Sequence, residues 1–284
     1  MKQQSKRRNT VFRFFNVVIY PEQYQKEENY VLAFQKIFER GTTLYTYQNK
    51  VTKMYSMNKL ADGSMLFGSL INYTKLKGEE RCYDETSGQI VEKSVDPNLN
   101  PNCKEWLFYF VPSKHRMAMP KIGSVSFSQI VKFFESELAE VVASIGCEKI
   151  EFYPVATQNA IDDIFDLDTI ERLDMTVTYT NNDLNEGYDQ LIADELASQG
   201  VNSLRTVAEG AKGAPFRLRK ESYLGGILSL SKEYGKAVAK GIKGNIRKTI
   251  NTMYYPLEKK WKITEDNKYN DIKEVIERRN EQDE

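Results

Sequence analysis

The stretch Gly241-Ile242-Lys243-Gly244-Asn245-Ile246-Arg247-Lys248-Thr249 holds the ingredients of a phosphate cradle: glycines, cations and a hydroxyl. A Walker loop sets its second glycine directly before Lys-Thr, so that ammonium and hydroxyl reach phosphate and metal together. Here Ile246 and Arg247 stand in between, and the loop is rejected. His115 is the only histidine, which excludes two-histidine mechanisms and His-pair metal sites. Its ordinary pKa would suit a general base. It sits between Lys114 and Arg116 at a tight turn, however, with no second acid or base in view. Lys114, His115 and Arg116 therefore read as turn residues or a surface contact. The carboxylates Glu151, Asp162, Asp163, Asp166 and Asp168 have the chemistry to hold Mg²⁺. No lysine follows them at the short spacing of metal-dependent nucleases, and an acidic helix start is favoured by the macrodipole alone. Cys82, Cys103 and Cys147 stand apart in no zinc spacing, as reduced thiols of a cytoplasmic protein do. No catalytic residue, metal site or cofactor is assigned.

The stronger signal is electrostatic. Lys+Arg and Asp+Glu both number 40, so the formal charge is zero. The signs are nevertheless sorted along the chain. From Glu148 to Glu209 carboxylates dominate, with only Lys149, Arg172 and Arg205 against them. From Gly210 to Lys262 the balance reverses. Lys212, Arg217, Arg219, Lys220, Lys236, Lys240, Lys243, Arg247 and Lys248 are the expected nucleic-acid contacts. Interleaved Gly225-Gly226, Gly235, Tyr223, Tyr234, Tyr254 and Tyr255 supply close backbone approach and stacking faces. On a strand, Lys236 and Lys240 share one side, and Lys243 with Arg247 would form a second pair beyond a turn at Gly241. The competing reading is that the basic segment pairs with the acidic one, within the fold or across a dimer.

The elements that must position these residues are legible from periodicity. Val11 to Tyr20 is an almost continuous apolar run closed by Pro21, the pattern of a strand buried on both faces. Trp106 to Val111 and Arg116 to Met119 form a hairpin around Pro112. Behind it Phe127, Ile130, Val131, Phe134, Leu138, Val141, Val142 and Ile145 make a helical stripe. Helices are also expected over Tyr30–Phe38, over Ile161–Ile170 and over Tyr188–Leu196, and strands at 44–47, 51–57, 65–73, 149–155 and 175–179. Lys77 to Asn102 reads as a surface excursion with one short hairpin. The early connections are hairpins rather than crossovers. That predicts an α+β fold with a mixed or largely antiparallel sheet covered by amphipathic helices, and a basic β-rich C-terminal part. Residues 1–263 are expected as a single α+β domain, with possible subdivision near 148 or 210. Residues 264–284 are expected as a charged helical or disordered tail. No apolar run approaches transmembrane length.

Four stretches carry a resemblance. They are Phe15-Asn16-Val17-Val18-Ile19-Tyr20-Pro21; Asn98-Leu99-Asn100-Pro101-Asn102 leading into Trp106–Phe110 and Lys114-His115-Arg116; Ile161-Asp162-Asp163-Ile164-Phe165 before Asn181-Asn182-Asp183; and Tyr234-Gly235-Lys236-Ala237-Val238-Ala239-Lys240-Gly241. Through them the chain resembles a bacterial family known as domain of unknown function 4747. The resemblance implies an anti-phage or mobile-element setting and assigns no site. The expected function is a non-enzymatic component binding nucleic acid through the basic segment. The alternative is a protein-interaction or regulatory subunit, self-associating or partner-binding; a metal-dependent nuclease ranks last.

Overall fold

A computed structural model describes residues 7–46, 49–96, 98–121, 127–178, 188–201, 203–211 and 214–277. Its larger sheet is built on β1 (Arg7–Tyr20). Every residue from Phe14 to Tyr20 is buried, so this strand needs cover on both faces. One edge takes β8 (Arg116–Pro120) against Phe12–Asn16. The other edge is served by two strands in succession: β14 (Glu258–Thr264) along Arg7–Arg13, then β9 (Lys149–Pro154) along Phe15–Tyr20. From β8 the sheet continues through β7 (Lys104–Val111), β4 (Leu66–Thr74) and β3 (Lys50–Lys59) to β2 (Leu44–Thr46), each pairing antiparallel.

Two apolar layers enclose this sheet. On one face Phe15, Val17, Ile19, Phe108 and Phe110 meet α1 (Glu27–Arg40) and α2 (Phe127–Ile145). Phe34 stacks on Phe110 at 5.1 Å, and Phe134 on Phe152 at 4.7 Å. The α2 stripe is the one read from the sequence. On the other face Phe12, Phe14, Tyr109 and Val111 meet Ile272, Val275 and Ile276 of α6 (Lys268–Glu277). Ile272, Val275 and Ile276 thus give α6 a buried face on the larger sheet.

A second, four-stranded sheet is inserted between β9 and β14. Its order is β11 (Ser203–Glu209), β10 (Thr169–Thr178), β12 (Gly235–Lys243) and β13 (Ile246–Asn251), all antiparallel. Chain entry and exit lie side by side: Ala156 bridges Pro256, and Leu257 N–H donates to the Val155 carbonyl at 2.7 Å. Leu173, Met175, Val177, Ala237, Ala239 and Ile250 face α3 (Gln158–Phe165), α4 (Tyr188–Ser198) and α5 (Tyr223–Tyr234). The polar excursion forms a separate hairpin, β5 (Glu79–Asp84) with β6 (Gln89–Ser94).

The fold is α+β with antiparallel sheets, as the hairpin pattern predicts. Three details differ. β10 begins at Thr169, so Ile170 lies on a strand rather than in a helix, because its buried side chain fits the strand alternation with Leu173 beyond a bulge. The basic segment contains a helix, α5, whose Leu224, Ile227, Leu228 and Ser231 make a helical stripe. The strand reversal falls at Gly244, whose φ of +60° is left-handed, and not at Gly241, which lies within β12.

Candidate nucleic-acid interface

Among the described residues no helix covers the second face of the four-stranded sheet, and that face carries much of the charge. Cross-strand partners share a face, so the pairing registers sort the side chains. One row runs Glu209, Arg172, Lys240, Thr249; the next runs Val207, Asp174, Val238, Asn251; a third runs Arg205, Thr176, Lys236. Arg247, opposite Ile242, extends the same side. The alternation that buries Leu173, Met175, Ala237 and Ala239 thus presents Arg172, Asp174, Lys236 and Lys240 on the far side.

Acidic and basic blocks meet here. Arg205 binds Asp174 through two contacts, 2.8 and 3.1 Å, and Arg172 reaches both Asp174 and Glu209. The Arg205 hydrogen bond, outweighing partial burial, holds the Asp174 carboxyl below its ordinary value. Arg247 pairs with Glu171 at 3.1 Å, Lys243 with Asp166 at 3.4 Å and Lys220 with Asp162 at 3.4 Å. The Asp168 carboxylate accepts the Gly244 N–H at 2.6 Å. Part of the sequence-level asymmetry is therefore intramolecular pairing, and Asp162, Asp166 and Asp168 point to separate partners. On the open face Arg172, Arg205, Lys236, Lys240 and Arg247 still exceed Glu171, Asp174 and Glu209, five cations to three carboxylates.

The nine expected contact residues scatter. Lys236, Lys240 and Arg247 share the open face, with Lys236 and Lys240 both exposed. Lys243 and Lys248 have the opposite parity, toward the helices. Arg217 and Arg219 alternate outward from Phe216 and Leu218, which pack on the core; Phe216 is fixed by paired hydrogen bonds to Ile170. Lys220 follows them, its amine 5.4 Å from the Phe165 ring. Lys212 lies outside the described residues.

The glycines of the basic segment answer to packing. A Cβ on Gly235 would stand 1.8 Å from the Thr176 carbonyl oxygen, and one on Gly225, in the first turn of α5, 2.1 Å from that of Arg219. Backbone approach here is to backbone, not to phosphate. The interleaved tyrosines do not line the open face either: Tyr234 is buried and Tyr254 lies in the turn beyond β13.

His115 and Arg116 are 8% and 5% exposed, which removes both from any contact surface in this state. His115 is a turn residue, with φ at +52°, and its Nδ1 lies 2.6 Å from the Tyr30 hydroxyl. Burial pushes the Tyr30 hydroxyl pKa well up, so it stays protonated. Its oxygen also accepts the Ile19 N–H at 3.4 Å. The histidine is a satisfied core group joining α1 to the β7–β8 turn.

Where the two sheets meet, a crevice of about 150 Å³ is lined by Glu135, Glu151, Tyr153, Thr176, Thr178 and Lys236. Thr178 donates to the Tyr234 carbonyl at 2.8 Å, so Tyr153 is the donor in its 3.1 Å contact with Thr178. Burial raises the Glu135 carboxyl above its ordinary value, with Lys236 acting against the shift. Sequence reading missed this seam, since Glu135 and Lys236 are brought together only where the two sheets meet.

Fold and surface together define an antiparallel α+β protein with one sheet buried on both faces at its centre and one whose ion-paired face is open. The chain belongs to the family described as Domain of unknown function (DUF4747), which matches residues 8–278, nearly its whole length. A search of curated proteins finds no match. Among the described residues no helix is long and apolar enough to cross a membrane.

Proposed function

We propose that this chain is a non-enzymatic nucleic-acid-binding component, in the anti-phage or mobile-element setting that the family resemblance implies. The observation that carries this reading is the open face of the inserted sheet. Lys236 and Lys240 stand on one side of one strand, with Arg247 on the neighbouring strand. The face has no aromatic side chain in its cross-strand rows. It suits contact with a phosphodiester backbone and not base stacking.

The test is retardation of duplex DNA, duplex RNA and single strands by the full chain across a salt series. Each phosphate contact contributes about −0.9 to the slope of log K against log salt on duplex DNA. The variant Lys236→Glu/Lys240→Glu/Arg247→Glu should flatten that slope by about three units while melting as wild type. Wild-type protein that retards none of these at low salt overturns the proposal.

One observation favours a second reading, a protein partner or self-association. The β5–β6 hairpin is a sheet of its own, and it exposes the cross-strand pair Tyr83 (66%) and Ile90 (64%). Two-stranded hairpins are marginal alone and gain stability when something packs on them. Sedimentation of wild type against Tyr83→Ser separates the readings, because an apolar contact survives the salt that releases nucleic acid.

A further inference from the structure

Strand β8 is short for its position, with five residues between the fourteen of β1 and the eight of β7. It pairs with β1 only along Phe12–Asn16 and with β7 only along Tyr109–Val111. Beyond Pro120 one further bond, Lys121 N–H to the Val11 carbonyl, closes the ladder. The two long strands then run on without a shared partner among the described residues, and the sheet forks. Helix α6 roofs the fork. Beneath it lies a cavity of about 310 Å³, walled by Phe12, Leu107, Tyr109, Pro120, Ile263 and Ile272.

The rim differs from the walls. Arg8, Glu265 and Lys268 surround the mouth. Arg8 and Glu265 stand 4.0 Å apart and offset each other. The Lys268 amine lies 5.5 Å from the Tyr109 ring and 5.7 Å from the Tyr269 ring, and has no carboxylate within 4 Å among the described residues. The mouth thus presents one cation in excess above an apolar chamber. An engineered apolar cavity of about 150 Å³ takes up one benzene. Twice that volume accommodates an unbranched chain of roughly ten carbons, and is too small for a two-chain lipid.

We infer that the fork beneath α6 binds a single-chain amphiphile with one anionic group, of which a medium-chain carboxylate is the simplest form. The chain fills the wedge that β8 leaves, and the carboxylate pairs with Lys268 at the mouth. This site lies on the enclosed sheet, apart from the open face of the inserted one, and does not depend on nucleic-acid binding.

The test is calorimetric titration of the full chain with decanoate, octanoate and decyltrimethylammonium, each below micelle formation. Decanoate should bind with one-to-one stoichiometry. Each buried methylene is worth about fourfold in affinity, so octanoate should bind roughly fifteenfold more weakly. Decyltrimethylammonium, with the same chain and the opposite charge, should bind at least tenfold more weakly than decanoate, on the order of one ion pair. Lys268→Glu should lose at least as much affinity for decanoate while melting normally. Ile272→Trp should block the chamber, and if that variant fails to fold, Lys268→Glu and the two comparison ligands still decide. The inference is overturned by absent or non-saturable decanoate binding, by equal binding of the cationic amphiphile, or by unchanged binding in Lys268→Glu.

Discussion

The two sheets treat polar groups in opposite ways. At the centre of the larger sheet both faces are apolar, and several of its buried polar side chains have partners of their own. Asn72 donates to the Val51 carbonyl at 3.0 Å and to Thr52 at 2.9 Å, and Tyr30 serves His115. In the inserted sheet one face is equally apolar, and the other is held by acid–base pairs in water. Exposed pairs of this kind contribute little to stability one at a time. The first sheet can therefore hardly change a face without unfolding, whereas the open face of the second is free to carry a function. Structural cost and functional latitude are separated by sheet, and within the second sheet by face.

The largest expected effect tests that separation directly. Leu138→Asp places a charge on the fully buried stripe of α2, costing several kcal/mol against a total of about 5–15 kcal/mol. It should yield insoluble or non-cooperatively melting protein. Thr249→Asp, exposed on the open face opposite Lys240, should change stability by less than about 0.5 kcal/mol. A soluble, cooperatively melting Leu138→Asp would break the comparison. Next in size is Gly235→Ala, whose Cβ meets the Thr176 carbonyl. Overpacking of this kind costs about 1–3 kcal/mol, visible as a lowered denaturant midpoint, and an unchanged midpoint would mean that β10 and β12 are not so closely spaced. Tyr30→Phe, which removes the hydroxyl that pairs with His115 Nδ1, should lose about 1–3 kcal/mol in the same assay.

The smallest effect is a pH dependence. Arg205 holds the Asp174 carboxyl below its ordinary value, so the stabilisation is present above the unfolded carboxyl value of about 4 and fades as pH falls through the lower folded one. Wild type should melt slightly above Asp174→Asn at pH 6, and the gap should close as the pH is lowered well below 4. A gap that persists in strong acid would remove the ion pair as its cause.

Much of the larger sheet was legible because its signals are local. Seven consecutive buried residues in β1, the Pro112 turn and the α2 stripe each declare themselves within a few residues. The inserted sheet was harder. Gly225-Gly226 drew the eye to phosphate chemistry and hid the α5 stripe, and nothing in the acidic-to-basic transition marked β11. The candidate interface was legible only as composition. Lys243 and Asp166 pair across 77 positions and Arg205 and Asp174 across 31, so which charges cancel is a matter of register, and register depends on distant partners. His115 was legible as a turn residue, but its burial was not, because its partner, Tyr30, sits 85 residues upstream on a helix.

The side-by-side exit and entry at Val155 and Leu257 also bear on how the molecule is made. β1 is synthesised long before residues 258–264, which complete one of its edges, and before α6, which covers part of one face. Translation of the 244 residues between Arg13 and Glu258 takes about 12–50 s at usual rates. Throughout that interval Arg7–Arg13 lacks its β14 partner, the condition under which strands recruit the wrong neighbour. The inserted sheet shortens the hazard once it forms, because its own closure carries the chain back to within a hydrogen bond of where it left. In this arrangement the closure of the inserted unit sets the strand that seals the older sheet beside the end of β9.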